Sequence, residues 1–241
     1  MPAPGWLVWR GGRAPRRHRP AWPSDTITSS PGVIQSRGME IQPARPEMAP
    51  AASALIYLTM GKMADYTLGA GDARRARRML ASLFRAENNR FCHRLTDVAL
   101  VSGRVVGLIL SYPTSRKVAL ELATAADLLR FGGLPYFLDV VYRTLPLAFV
   151  KEWDGAACFI AHLAVSPDYR RRGIGRALLA TVEGRARARG HRALALTVEV
   201  NSPALAFYRH LGFRITGNVM IPSLRRRLGY EGFYRLCKEL A

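Results

Sequence analysis

The chain has 241 residues, 49% of them hydrophobic, so one large domain with a sizeable core can form. Its 36 lysines and arginines against 17 acids give a formal net charge of +19, which brings nucleic-acid binding into consideration. Only four of the basic residues are lysines, and the arginines are scattered outside the N-terminal tail, the 170–176 turn and Arg225 to Arg227. The charge therefore reads as a general arginine bias, disfavours a nucleic-acid interface, and suits an anionic substrate or cofactor equally well. Three widely spaced cysteines, Cys92, Cys158 and Cys237, make neither a disulfide framework nor a metal site, and point to a reducing, cytoplasmic compartment. Each is expected as a small apolar residue in a strand. No apolar run reaches the roughly 18 residues that a membrane span needs.

Residues 1 to about 38 are rich in Pro, Gly, Arg and Ser and show no period. Six arginines against Asp25 give the segment +5. Too little apolar surface is available to order it, so it reads as a disordered basic extension. Arg16-Arg17 is followed by no apolar region, which excludes a twin-arginine signal. Folded-looking sequence begins at Met39, an alternative start of translation that would leave 1–38 untranslated.

From Met39 a short strand is expected. Residues 47–68 read as one helix with Leu55, Ile56, Met60, Met63 and Tyr66 near one face, broken by Gly69 and Gly71. Asp72 is placed to cap a second helix over 73–87 that turns Met79, Leu80, Leu83 and Phe84 inward and Arg74, Arg75, Arg77 and Arg78 to solvent. Residues 91–101 and Val105 to Leu110 form an antiparallel hairpin around Ser102-Gly103, ending at Tyr112-Pro113. Residues 114–155 read as a helical insertion: one helix over Leu120 to Phe131, a break at Gly132-Gly133, and another opening at Pro135 towards Phe149. Its aromatics Phe131, Tyr136, Phe137, Tyr142, Phe149 and Trp153 either pack the insertion onto the body or line an acceptor pocket.

The stretch Phe159 to Leu179 organises the rest. An apolar strand to Val165 stops at Ser166-Pro167, and a basic turn, Arg170-Arg171-Arg172-Gly173-Ile174-Gly175-Arg176, leads into a helix over about 174–189 capped by Gly190. The exposed N–H groups of a helix's first turn and its macrodipole attract anions. Gly173 and Gly175 carry no Cβ, so a phosphate can approach the backbone. The turn lacks the lysine of a Walker loop and the third glycine of a dinucleotide fingerprint, and is read as a diphosphate cradle. A strand over Ala193 to Val200 follows, then a short helix with Pro203 at its first position reaching Leu211, a strand from Gly212-Phe213, and a last strand over about 232–240. The class is mixed α/β with a crossover helix on a sheet.

Arg170, Gly173 and Gly175 match R/Q-x-x-G-x-G, preceded by Leu163-Ala164-Val165 and followed by Ala177-Leu178-Leu179. Downstream, Asn201, Ala204, Tyr208, Gly212 and Phe213 match N-x-x-A-x-x-x-Y-x-x-x-G-F. Together, over roughly 155–217, they resemble the acetyl-CoA-binding motifs of the GCN5-related N-acetyltransferase (GNAT) superfamily. The resemblance implies a central, mostly antiparallel twisted sheet flanked by helices over 39–241, with the 114–155 insertion between the third and fourth strands. It implies acetyl-CoA as cosubstrate, an amine acceptor, no metal, and cofactor contacts from Leu163, Ala164, Val165, Arg170, Arg171, Arg172, Gly173, Ile174, Gly175, Arg176, Asn201 and Ala204. A homodimer is compatible with it.

Acyl transfer to an amine sets its own requirements. An amine with a pKa near 10.4 must lose a proton before attacking a thioester. The oxyanion that forms needs an N–H donor, which the resemblance places on the strand ending at Val165, where splaying from the next strand admits the pantetheine arm. The leaving thiolate needs a proton, for which Tyr208 is the candidate. Glu199, before Asn201, and His162, in the cradle strand with Ala161 and Leu163 facing the other way, are candidates for the base. A non-catalytic acyl-CoA-binding or regulatory module of the same fold is the alternative.

Overall fold

The computed structural model describes residues 34–36, 38–148 and 156–240. The elements are, in order, β1 (Ile34–Ser36), β2 (Met39–Pro43), α1 (Ala49–Met60), α2 (Lys62–Leu68), α3 (Ala73–Arg85), β3 (Thr96–Val101), β4 (Arg104–Pro113) and α4 (Lys117–Ala148). Then come β5 (Cys158–Val165), α5 (Ile174–Ala188), β6 (Ala193–Glu199), α6 (Ala204–His210), β7 (Arg214–Val219), α7 (Pro222–Leu228) and β8 (Phe233–Glu239). The strands make one sheet in the order β1-β2-β3-β4-β5-β6-β8-β7. Every neighbouring pair is antiparallel except β5 with β6, joined through the crossover helix α5. The expected mixed, mostly antiparallel sheet is present, with the helical insertion between β4 and β5. Most of the expected basic extension lies outside the described residues, but the sheet begins ahead of Met39, at β1.

Helices cover both faces. On one, Leu55 and Ile56 of α1, Leu80, Leu83 and Phe84 of α3 and Leu120 and Tyr136 of α4 pack with Leu108, Leu110 and Phe159 of the sheet. On the other, Ile174, Leu178, Leu179 and Val182 of α5 pack on Ile109, Ile160, Leu194 and Leu196. Asp72 caps α3 as expected, its carboxylate accepting from the N–H groups of Arg74 and Arg75 at 2.7 and 3.1 Å. The buried Asp97 of β3 pairs with Arg185 in the last turns of α5 and anchors the far end of the crossover helix. At its near end α5 lies tight on β4: a Cβ on Gly107 would stand 3.2 Å from side-chain carbons of Ile174 and of Leu178.

Several expectations are corrected. The single helix over 47–68 is two, α1 and α2, because Gly61 adopts φ 51, ψ −130, which no helix accommodates. β3 starts at Thr96, after a 3-10 turn over His93–Leu95, so Cys92 is buried beside that turn and not in a strand. Pro203 sits one residue ahead of α6. Helix α7 was not foreseen; its seven residues carry three successive arginines and no readable apolar period. In the insertion the helix does break, at Gly133 with φ 75, ψ 171. Tyr136 there is buried and donates its hydroxyl to the Leu68 carbonyl at 2.7 Å, whereas Phe131 and Tyr142 are exposed. Phe149 and Trp153 lie outside the described residues.

Candidate active site

The parallel pairing of β5 with β6 covers Cys158 with Leu194, Phe159 with Ala195, and Ile160 with Leu196. β5 then runs on to Val165 and β6 to Glu199 without pairing to each other. The two strands part where β5 carries a bulge: Leu110 of β4 faces His162 and Ser111 faces Ile160, which leaves Ala161 as the extra residue. A bulge bends its strand and re-aims the residues beyond it. The result is a gap between the ends of two central strands. Ser166 donates to the Val106 carbonyl at 2.8 Å, so alternation along the antiparallel β4–β5 pair turns the N–H groups of Leu163 and Val165 the other way, towards that gap.

The cradle closes one end of the gap. Arg171 (φ 60) and Gly173 (φ 79) are both left-handed, which folds the backbone into a concave turn. Gly173 precedes α5 and no side chain caps that helix, so its first N–H groups face outward. Any other residue at Gly173 would strain the backbone, although the space beside it is open. Arg170 and Arg172 are drawn back into the turn: the Nε of Arg170 donates to the Val165 carbonyl at 3.2 Å, and the guanidinium of Arg172 donates to the Asp168 carbonyl at 3.0 Å while lying over the Tyr169 ring. Arg171 and Arg176 add charge at its rim. The turn thus offers an anion its backbone N–H groups first and its arginines second.

The second motif folds against the first. Ser202 Oγ accepts from the Ala204 N–H at 3.3 Å and starts α6, while Asn201 is exposed in the turn before it. Ala204 and Phe207 pack on the α5 side of the sheet, and a Cβ on Gly175 would stand 3.4 Å from the Phe207 ring. Tyr208 is buried in the same cluster, with edge-on rings from Phe207 and Phe213; the cluster also holds Ile160 and Val198 of the two parting strands. Burial pushes its phenol up to about 12, so it keeps its proton.

The other two chemical candidates lie across the sheet. In β6, Leu194, Leu196 and Val198 face α5, which puts Glu199 on the α1 side with Ala193 and Ala195. Burial raises its carboxyl above the ordinary range. Beside it Tyr230 donates to the Met60 carbonyl at the end of α1 at 3.1 Å, and the charge of Glu199 adds to the burial that raises the Tyr230 phenol. His162 also faces α1. Its ring stacks on Phe91, and Nδ1 lies 2.8 Å from Thr59 Oγ1. Leu163 faces the opposite side as expected, but Ala161 does not: the bulge turns it to the α1 side with His162. Burial, with Arg90 nearby, lowers the imidazole from 6.5 to about 3. Thr59, Tyr230 and Phe91 carry no motif, and only the folded chain brings them to this site.

A sequence profile of the Acetyltransferase (GNAT) family matches residues 63–213, more than half of the chain. The chain belongs to the GNAT acetyltransferase family. The fold agrees with that of solved acetyltransferases. A crystal structure of an acetyltransferase superposes with a TM-score of 0.61 at 21% identity, covering 83% of this chain and 99% of that one. An N-acetyltransferase from Staphylococcus aureus Mu50 gives 0.61 at 21%, over 82% and 98%. Ard1 from Thermoplasma volcanium gives 0.51 at 16%, over 85% and 99%. No curated protein matches the chain in sequence. Among the described residues, no helix is long and apolar enough to cross a membrane.

Proposed function

We propose that this GNAT protein is an N-acetyltransferase that moves the acetyl group of acetyl-CoA to a primary amine by direct attack on the thioester. The observation that carries the proposal is the parting of β5 and β6 after Ile160 and Leu196, with an anion cradle at one end and ionisable groups on both faces. Acetyl-CoA is the cosubstrate. The first turn of α5, Gly173 to Arg176, would hold its diphosphate, with Arg171 at the rim. The strand residues Leu163, Ala164 and Val165 would hold the extended arm, and a free N–H of Leu163 or Val165 would stabilise charge on the carbonyl oxygen.

Glu199 is the preferred base. Its raised pKa increases its affinity for the proton that the acceptor ammonium must lose. His162 is the weaker choice, since an imidazole with a pKa of about 3 holds a proton poorly. Tyr208, protonated and on the opposite face, would deliver a proton to the leaving thiolate. One group thus takes the proton from the entering nitrogen and another returns one to the departing sulfur, so no charge accumulates. The bond from the Ala204 N–H to Ser202 Oγ sets the start of α6, which carries Tyr208, and Asn201 and Ala204 would contact the cofactor there.

Titration calorimetry with acetyl-CoA, followed by a CoA-release screen across an amine panel, tests the proposal. Binding with release against at least one amine supports it. A folded protein that fails to bind acetyl-CoA refutes the site. Binding with no release against any amine would favour the non-catalytic CoA-binding alternative.

A further inference from the structure

The insertion helix α4 is apolar on two sides. Its inward side, through Leu120, Leu128, Tyr136 and Val140, is buried against the body. Its outward side carries Val118, Leu122 and Leu129 before the break at Gly133, and Leu134, Leu138 and Leu145 after it, each 42–68% exposed. Both triplets step by four and then seven residues, which keeps each on one helix face. A helix that is apolar on two sides is ordinarily buried on both. At roughly 120 Å² of apolar surface for such a side chain when fully exposed, the six present on the order of 400 Å². That falls within the roughly 300–600 Å² of the largest patch on a monomer, a size that often serves a function.

The edges of this stripe are positive. At the break Arg130 is exposed, with its guanidinium over the Phe131 ring. Along the second half, Arg227 of α7 donates to the Tyr66 hydroxyl at 2.8 Å and also bonds the Tyr142 hydroxyl of α4. That brings α7 beside α4, with Arg225 and Arg226 exposed. The acids of α4 are already engaged: Glu121 with Lys117 at 3.6 Å, Asp139 with Arg143 at 3.0 Å, and Asp127 with the Asn89 amide at 2.8 Å. Among the described residues, Arg130, Arg225 and Arg226 make no ion pair. An aliphatic ridge with free cations along its edges matches a bilayer interface, where an apolar interior lies beneath anionic headgroups. Nucleic acid offers phosphates but nothing apolar for the leucines, and base stacking calls for aromatic rings in their place. A second copy would bring its own α7 arginines against these.

We propose that the outward face of α4, with Arg130 and the α7 arginines at its edges, docks on an anionic lipid bilayer. The leucines enter the boundary between headgroups and acyl chains, and the arginines meet the headgroup anions. This is a contact with the membrane surface, not a span, and it does not rest on the acetyl-transfer reading. Both parts are needed: the apolar stripe gives depth, and the arginines select anionic lipid and make the contact weaken as salt rises.

Co-sedimentation of the full chain with vesicles of phosphatidylcholine, alone or with about one-third phosphatidylserine, tests this. Leu122→Gln with Leu138→Gln removes apolar surface and leaves the charge unchanged. Arg225→Ser with Arg226→Ser removes charge and leaves the stripe. Ile215→Gln is the control at an exposed apolar residue elsewhere. The expected result is binding to the phosphatidylserine vesicles and little to phosphatidylcholine alone. Affinity should fall about tenfold or more in each double variant and stay unchanged in Ile215→Gln. Unchanged circular dichroism and melting temperature show that the variants remain folded; if the leucine pair unfolds, the single substitutions decide, at about threefold each. No binding to phosphatidylserine vesicles overturns the proposal. So does binding that the leucine pair leaves intact, which would be bare attraction of a chain of net charge +19. Equal binding to phosphatidylcholine alone removes the arginines from it and overturns it as stated. A lipid-free dimer that the leucine substitutions dissociate overturns it as well, and assigns the face to a second copy.

Discussion

His162 of β5 and Thr59 of α1, 103 residues apart in the chain, meet at 2.8 Å. The Thr59 hydroxyl donates to the Ile56 carbonyl at 2.7 Å, so its oxygen accepts from the imidazole and the proton of neutral His162 sits on Nδ1. Nε2 is left shielded from solvent and without a protein hydrogen-bond partner among the described residues. The ring is held neutral from both sides.

This pair predicts an acid-sensitive contribution to stability. The folded protein keeps His162 neutral down to about pH 3, whereas the unfolded chain takes up a proton near 6.5. Between those values the unfolded state binds more protons, so stability falls as pH falls, by up to about 1.4 kcal/mol per pH unit from this residue. Urea unfolding of His162→Gln at a series of pH values should lose that part of the slope. An identical slope in both proteins would remove His162 as its source.

Tyr208→Phe deletes one hydroxyl from a well-packed ring. Its fold and acetyl-CoA affinity should persist while kcat drops by about a hundredfold, the usual contribution of a positioned proton donor. Full kcat in the variant, measured as CoA release, would take Tyr208 out of the chemistry.

Glu199 must be ionised to accept a proton, and its carboxyl sits above the ordinary range. The rate should therefore decline as pH falls through that raised value. Glu199→Gln should lower kcat by about 10²–10⁴-fold at neutral pH and abolish the acidic limb of the pH–rate profile. An unchanged limb would assign the titration to another group.

Gly173 and Gly175 separate backbone strain from contact. At Gly173 an alanine meets open space but keeps φ 79, so Gly173→Ala should cost about 1 kcal/mol of stability and weaken acetyl-CoA binding. At Gly175 the new methyl would meet the Phe207 ring at 3.4 Å and a Val165 methyl at 3.7 Å, both ordinary contacts, and the melting temperature should barely move. Equal melting temperatures for the two variants would contradict the assigned strain.

The local part of this protein is written in its residues. The cradle turn, the α6 motif, the Asp72 cap, the Ser102-Gly103 hairpin and the break before Leu134 each depend on neighbours a few positions away, so spacing and backbone freedom reveal them. Adjacent elements along the chain therefore gave the order of strands and helices, and two short motifs gave the family. What folding decided is held by contacts between distant segments. The bulge at Ala161 is a register between β4 and β5, and it turns Ala161 to the face of His162. The gap after Ile160 exists because β5 and β6 stop pairing. Thr59, Phe91 and Tyr230 reach the site from elements with no motif of their own, and Glu199 faces away from Tyr208 only because strand alternation is counted from the packed sheet. Periodicity in one strand shows which residues alternate; the elements that cover each face show which side is which, and so where base and acid stand relative to the gap.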